Sequence, residues 1–418
     1  MKAFIVAIPL FDTKMSVDAY QLCARNGEKL FGAADDYRGI AEYFIAPGLD
    51  IVEELGVGPF AGDKPLFIDV NEYQLLMGKP ADIETVEPER IVCILSHDIS
   101  ADDAVVARCR ALREQGYLLA FSQMPTDVST NRLMEFIDYM MLDFTDGQFS
   151  QQLKLMRNHY RSKKLVITNI PDMKSYDRVK VSTGAVLFTG SFYSRPITEG
   201  VKDLSPLKLN ALRLLNQINE EDFDLTQTAD TIEKDPSLSI SLLRFINSSA
   251  VGINKRIDSI RGAVAILGQK EVKRWATVAI SVQMAEDRPG EITRLSLVRA
   301  RFAENLATVY EMGILAPSLF MAGLFSLLDI VLQKPMKEAM REVAVDDRVK
   351  KALVDKSGDL YAVMELIYAY ERADWDSASI NIIQNDVKIE EINKAFIDAL
   401  AWYKQLLDMI EEEKLENA

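Results

Sequence analysis

Residues Asp235–Ile280 read DPSLSISLLRFINSSAVGINKRIDSIRGAVAILGQKEVKRWATVAI. Asp235 followed by Pro236 is a helix start: a carboxylate that caps, then a residue whose missing N–H would find no helical partner anyway. Leu238, Leu242, Phe245 and Ile246 follow at three- and four-residue spacing, the stripe of a packed helix. The run breaks at Asn247–Gly252, Asp258 or Ser259 starts another helix, Gly268 ends it, and Val272, Trp275, Ala276 and Ala279 carry the next. The stripe Leu238–Ile246 and Trp275 read as core. The stretch holds no His and no Cys, so it offers little to metal or nucleophilic chemistry. It reads as the centre of a protein-binding module built from short helices.

The helical reading extends in both directions. Upstream, Ser205-Pro206 repeats the cap-plus-proline device ahead of Leu209, Leu212, Leu215 and Ile218, and Asp224 can cap a short helix carrying Ala229 and Ile232. Downstream, apolar residues at helical spacing continue through Leu295–Leu332 to Leu407, with no strand pattern. The character changes near Arg195-Pro196, and Ile197–Ser205 reads as a linker. Before it, short runs, most of them apolar on both faces, alternate with helical patterns such as Tyr37, Ile40, Ala41, Phe44 and Ile45; the runs are Phe4–Pro9, Val17–Cys23, Leu66–Val70, Ile91–Leu95, Leu118–Ser122, Tyr139–Phe144, Leu165–Asn169 and Val186–Phe192. That alternation predicts an α/β layer or a (β/α) barrel. The short turn FDTKM predicts that the first two strands pair antiparallel. The chain thus reads as α/β plus all-α, residues 1–197 and 198–418.

The 63 acidic and 48 basic residues give a net charge of −15, which disfavours broad binding to a phosphate backbone; no nucleic acid is expected as a partner. Three cysteines, Cys23, Cys93 and Cys109, without close spacing suggest neither a disulfide framework nor a zinc knuckle. They read as reduced thiols of a cytoplasmic protein. The opening MKAFIVAIPLF reads as a first strand rather than a signal peptide, and no apolar run reaches bilayer length, so no membrane partner is expected. Gly56–Gly62, GVGPFAG, reads as a loop rather than a phosphate cradle. No resident cofactor is expected.

Four marks carry a family resemblance: the opening AFIVAIPLFDTKMSVDAYQLCAR, the phrase FYSRP closing the first half, DPSLSISLLRFINSSAVG with SIRGAVAILGQKEVKRW, and LFMAGLFSLLDIVL. Together they resemble bacterial signalling proteins of the EAL–HDOD type. The first half is similar to an EAL domain, the (β/α) barrel that hydrolyses cyclic di-GMP, and the second to the HD-related output domain, HDOD. The resemblance implies a barrel mouth where carboxylates hold two divalent cations and activate water.

This sequence departs from that pattern at nearly every ligand. The signature Glu-Ala-Leu corresponds to Gln21-Leu22-Cys23. The Asn ligand falls on Asp69, or on Asn71 after a small register shift. The next glutamate falls on or beside Ile94 and its downstream partner on or beside His97. The paired aspartates correspond to Ser122 and Gln123, the catalytic lysine to Met141, and two later ligands to Thr168 and Thr189. Asp143 survives. Arg25, four residues after Gln21, matches an arginine that contacts a nucleotide phosphate in the family. In the second half, the place of an HD metal motif offers Ser326 and Leu327, and Asp329 reads as a surface or capping acid; both histidines, His97 and His159, lie in the first half.

The expectation is a degenerate EAL-like barrel that docks or senses, joined to an HDOD module that binds a signalling protein such as a kinase, a response regulator or a cyclic di-GMP enzyme. Lys255, Arg256, Arg261, Lys270, Lys273 and Arg274 make one segment locally basic and are the candidate surface for an acidic partner. The alternative is a receptor that binds cyclic di-GMP or another nucleotide through Arg25 without hydrolysing it. The resemblance also admits a homodimer through the barrel.

Overall fold

The computed structural model describes residues 3–26, 47–81, 87–125, 132–196, 206–219, 224–247, 257–285 and 288–416. Eight strands close into a barrel in sequence order: β1 (Ala3–Phe11), β2 (Val17–Asn26), β3 (Leu66–Val70), β4 (Ile91–Leu95), β5 (Leu118–Phe121), β6 (Tyr139–Asp143), β7 (Lys164–Ile170) and β8 (Leu187–Gly190). The two ends of β1 differ. It pairs antiparallel with β2 along its length, but meets β8 only at Phe11↔Phe188; the pairings from β2 to β8 are parallel. Asp12 makes the β1–β2 turn possible, because its Oδ1 accepts hydrogen bonds from the N–H groups of Lys14 (2.7 Å) and Ser16 (2.9 Å).

Alternation along each strand divides inside from outside. Leu10, Ala19, Phe67, Val92, Ile94, Ala120, Met141, Val166 and Leu187 form one buried cluster that fills the barrel. Connecting helices cover the outside. Helix Asp103–Glu114 starts where Asp102 accepts hydrogen bonds from Ala104 and Val105, and it buries Val105, Val106, Cys109 and Leu112. Helix Met173–Thr183 starts at Asp172 and buries Tyr176 and Val179. Gly56–Gly62 is not wholly a loop: Gly58–Ala61 forms one helical turn that buries Phe60 and Ala61. The helical stripe expected around Tyr37–Ile45 and the linker at Ile197–Ser205 lie outside the described residues.

The described residues from Pro206 onward contain helices and no strands. Three predicted starts hold, while Ser205 lies outside the described residues. Asp224 Oδ1 accepts from the Thr226 N–H at 2.7 Å, Asp235 Oδ1 from Leu238 at 3.1 Å, and Ser259 Oγ from Gly262 at 3.2 Å. Gly268 interrupts Ile260–Met284 with φ 73° and ψ 172°, a backbone conformation suited to glycine. Trp275, Leu238, Leu242 and Ile246 are core residues. Helix Ala316–Phe325 approaches helix Gly290–Val309 so closely that a Cβ on Gly323 would lie 2.5 Å from the backbone of Arg299.

The chain divides into two compact units, Met1–Arg195 with Glu365–Lys394, and Pro196–Met364 with Ala395–Ala418. This differs from a simple division at 197/198, because Glu365–Lys394 groups with the barrel. The incomplete β1–β8 pairing supplies a reason. An N–H on the open edge of β1 needs another acceptor, and the Ile5 N–H donates to Tyr370 Oη at 3.2 Å. That hydroxyl in turn donates to Asn393 Oδ1 at 2.8 Å. Phe4 stacks on Trp375, with ring centroids 5.1 Å apart.

Tyr370→Phe keeps the ring but removes the acceptor from a buried N–H. It is expected to lower stability by about 1–3 kcal/mol, read as an earlier urea-unfolding midpoint of the full chain. An unchanged midpoint would show that this hydrogen bond does not hold the segment.

Candidate functional site

The C-terminal ends of β2–β8 form the barrel mouth, where this architecture presents chemistry. The apolar cluster fixes the strand phase and hence the residues of the ring. Ala19 puts Gln21, Cys23 and Arg25 on its face of β2, Phe67 puts Asp69 there, Ala120 puts Ser122 there, and Met141 puts Asp143 there. Val166 and Leu187 do the same for Thr168 and Thr189. Ile94 and Met141 themselves belong to the cluster, at 2% and 3% exposure.

Two acids remain in this ring. Asp69 is solvent-accessible but enclosed enough by the mouth that loss of hydration pushes its carboxyl up to about 6. Asp143 is pulled upward by burial, yet its carboxyl lies below the ordinary value because hydrogen bonds outweigh that effect. Its Oδ1 accepts from the Thr145 N–H and hydroxyl, both at 2.7 Å, and its Oδ2 accepts from Asn169 Nδ2 at 2.7 Å. Asn169 is held at φ 57°. Burial, and then the charge of Asp69, push the Cys23 thiol up to about 12; burial does the same to Cys109 and raises Cys93 as well. These thiols are therefore protonated at neutral pH and are poor nucleophiles.

Among the described residues, the donors at the strand ends do not fit the two-cation arrangement implied by the EAL resemblance. Hard divalent ions require several oxygen ligands, largely carboxylates. The ring offers an amide at Gln21, hydroxyls at Ser122, Thr168 and Thr189, and apolar groups at Ile94 and Met141. Both oxygens of Asp143 already accept hydrogen bonds. His97 lies in the turn after β4, where Ser96 Oγ donates to Asp98. The Thr189 hydroxyl is buried without a hydrogen-bond partner. Beside it, a Cβ on Gly190 would fall 2.3 Å from the backbone N and O of Ile170, so only glycine fits there.

Arg25 lies opposite Phe4 in the β1–β2 ladder, beyond the last β2–β3 pair, Leu22↔Ile68. It has a partner that its local sequence did not reveal: Nη1 donates to Asp376 Oδ1 at 2.8 Å. Asp376, Trp375 and Tyr370 were absent from the sequence-derived site. Nothing in the spacing of the 365–394 segment announces a contact with residues more than 350 positions earlier.

In the helical unit the basic candidates do not act as one free patch. Lys255 and Arg256 lie outside the described residues. Arg261 pairs with Asp230 at 2.5 Å and with Glu233 at 3.5 Å. Arg274 pairs with Glu304 at 2.8 Å and covers the Phe320 ring. Lys270 is exposed, whereas Lys273 is half-buried and its ammonium is lowered by loss of hydration. Asp329 is not a surface acid; it is buried in Leu328–Leu332. Nearby, buried Arg299 donates to Ser326 Oγ at 2.9 Å.

A closed eight-strand barrel whose described strand ends carry two acids, together with an all-helical unit, defines the class of architecture. Comparison with known proteins adds that residues 204–355 match the HDOD domain model, so the helical half contains an HDOD domain. Over nearly full length the chain is similar to the uncharacterized protein YuxH of Bacillus subtilis (strain 168), at 28% identity over 98% of this chain and 100% of the relative. It is also similar to the cyclic di-GMP phosphodiesterase CdgJ of Vibrio cholerae serotype O1, at 24% identity over 97% of this chain and 94% of that protein. Among solved structures, an EAL domain protein from Listeria monocytogenes EGD-e aligns at 13% identity with a TM-score of 0.35, covering 46% of this chain and 88% of that one. No described helix is long and apolar enough to cross a membrane.

The Asp69 environment gives a pH-dependent test. Its folded-state value of about 6 lies above the ordinary 3.8, so the native state binds more protons between about pH 4 and 6 and loses stability as pH rises through that window. Asp69→Asn removes this loss. The variant should match the wild type near pH 4 and exceed it by about 1 kcal/mol at pH 7–8, a figure reduced for the acid's contact with solvent. Urea melts across pH 4–8 check this; a constant offset would contradict it.

Proposed function

We propose that the protein is a non-catalytic signal-transduction scaffold whose HDOD module binds a protein partner and whose EAL-like barrel docks or senses. The carrying observation is the barrel mouth: Gln21, Ile94, Ser122, Met141, Thr168 and Thr189 occupy places where the resemblance puts ligands and a lysine. A fold that keeps its core but replaces these donors retains surfaces for recognition rather than a centre that activates water. The HDOD match at 204–355 supports the assignment of partner binding to the helical half. A kinase, response regulator or cyclic di-GMP enzyme is the class of partner proposed, in a cytoplasmic setting. Among the described candidates, Lys270 and Lys273 are the basic residues at which an acidic partner would engage without first breaking the ion pairs of Arg261 and Arg274.

A second reading is a cyclic di-GMP receptor that binds without hydrolysis. The position of Arg25 at the barrel mouth favours it, and the name of the Vibrio cholerae relative supplies the nucleotide. Both readings exclude turnover. Purified full-length protein incubated with cyclic di-GMP and Mg²⁺ or Mn²⁺ is expected to yield no linear product by chromatography. Metal-dependent hydrolysis lost in Asp143→Asn would overturn both.

A further inference from the structure

We infer that Asp376 is a built-in anion that occupies Arg25, so that a phosphate-bearing ligand reaching the barrel mouth must displace it. The inference rests on the receptor reading above and adds an internal competitor to it. Arg25 lies at the C-terminal end of β2 and carries a planar fork suited to a phosphate, and its guanidinium already meets a carboxylate at 2.8 Å.

The contact follows from register. Phe4 and Arg25 are cross-strand neighbours in the β1–β2 ladder. Trp375 stacks on Phe4 with 20° between the ring planes, and the next residue, Asp376, meets Arg25. The dipeptide Trp375-Asp376 thus reads the pair Phe4 and Arg25, one residue by stacking and the other by charge. The segment is anchored a turn earlier by buried Tyr370, which holds the Ile5 N–H and Asn393. Asp376 is not needed to start its own helix, Trp375–Gln384, because Asp374 caps it by accepting from the Ser377 N–H at 3.2 Å.

The pair is a latch rather than a lock. Asp376 is 79% exposed and Arg25 is 28% exposed, and ion pairs this wet contribute little. A phosphate can offer the same guanidinium two parallel hydrogen bonds. The carboxylate should therefore weaken an anionic ligand by only about 2- to 5-fold at low ionic strength, and by less as salt screens the pair.

The test uses the full chain as wild type, Asp376→Asn, Arg25→Ala and the double variant, each checked by circular dichroism. Calorimetry with cyclic di-GMP and with inorganic pyrophosphate should show about 2- to 5-fold tighter binding to Asp376→Asn than to wild type. The gain should shrink with added NaCl and be absent in the Arg25→Ala background. Equal affinities, or a gain that persists without Arg25, overturn the inference. Phenylglyoxal labelling of Arg25, followed by peptide mass spectrometry, reports the latch without any nucleotide. Faster labelling in Asp376→Asn supports it, and equal rates overturn it. If labelling accelerates but neither probe binds any form, the ion pair is real, the receptor reading fails, and competition with it.

Discussion

The interior of the barrel must be dry and filled, and this constraint decides where polar chemistry can stand. An eight-strand barrel is just wide enough for its own side chains, and Leu10, Ala19, Phe67, Val92, Ile94, Ala120, Met141, Val166 and Leu187 fill it. In this chain the apolar filling rises to Ile94, on or beside which the EAL resemblance places an acid, and to Met141, where it places a lysine. The consequence reaches beyond two missing groups. A carboxylate returned to position 94 alone would enter an apolar cluster and take up a proton rather than bind a cation. Asp69, one of the two acids left in the ring, already shows that tendency. The other, Asp143, keeps its charge because Thr145 and Asn169 satisfy it, which makes it part of the loop architecture.

The antiparallel start of the barrel creates a second dependency. Because β1 meets β8 only at Phe11, its edge near Ile5 needs a partner, and a segment from the far end of the chain supplies Tyr370. The same segment brings Trp375 to Phe4 and Asp376 to Arg25. One unfilled edge thereby accounts for a discontinuous unit and for an arginine paired within its own chain.

Much of the fold was legible in the sequence for identifiable reasons. Ile91–Leu95 is apolar on both faces, as buried parallel strands must be, and Leu66–Val70 is apolar but for Asp69; their bounds agree with β3 and β4. Asp224, Asp235, Ser259 and Gly268 announced helix boundaries through local chemistry that does not depend on tertiary context. The identities of the strand-end residues were legible too, once the strands were phased. The pairing of Glu365–Lys394 with the barrel was not, because helical periodicity reports that a face is buried and not what buries it. For the same reason a run of basic residues looked like a patch: the acids that engage Arg261 and Arg274, namely Asp230, Glu233 and Glu304, lie on other helices. Asp329 looked like a surface acid because a lone acid in an apolar run gives no sign of burial.

We propose that the described strand ends of the barrel, with Asp69 and Asp143 as their two acids, offer too few oxygen donors to hold a pair of divalent cations. Mn²⁺ titration of the full-length protein, followed by electron paramagnetic resonance, tests it most directly. Free Mn²⁺ is expected to persist at its added concentration through the micromolar range, with no exchange-coupled pair, in the presence and absence of cyclic di-GMP. Uptake of two Mn²⁺ per chain at micromolar concentration, with a coupled spectrum abolished by Asp69→Asn or Asp143→Asn, would contradict it.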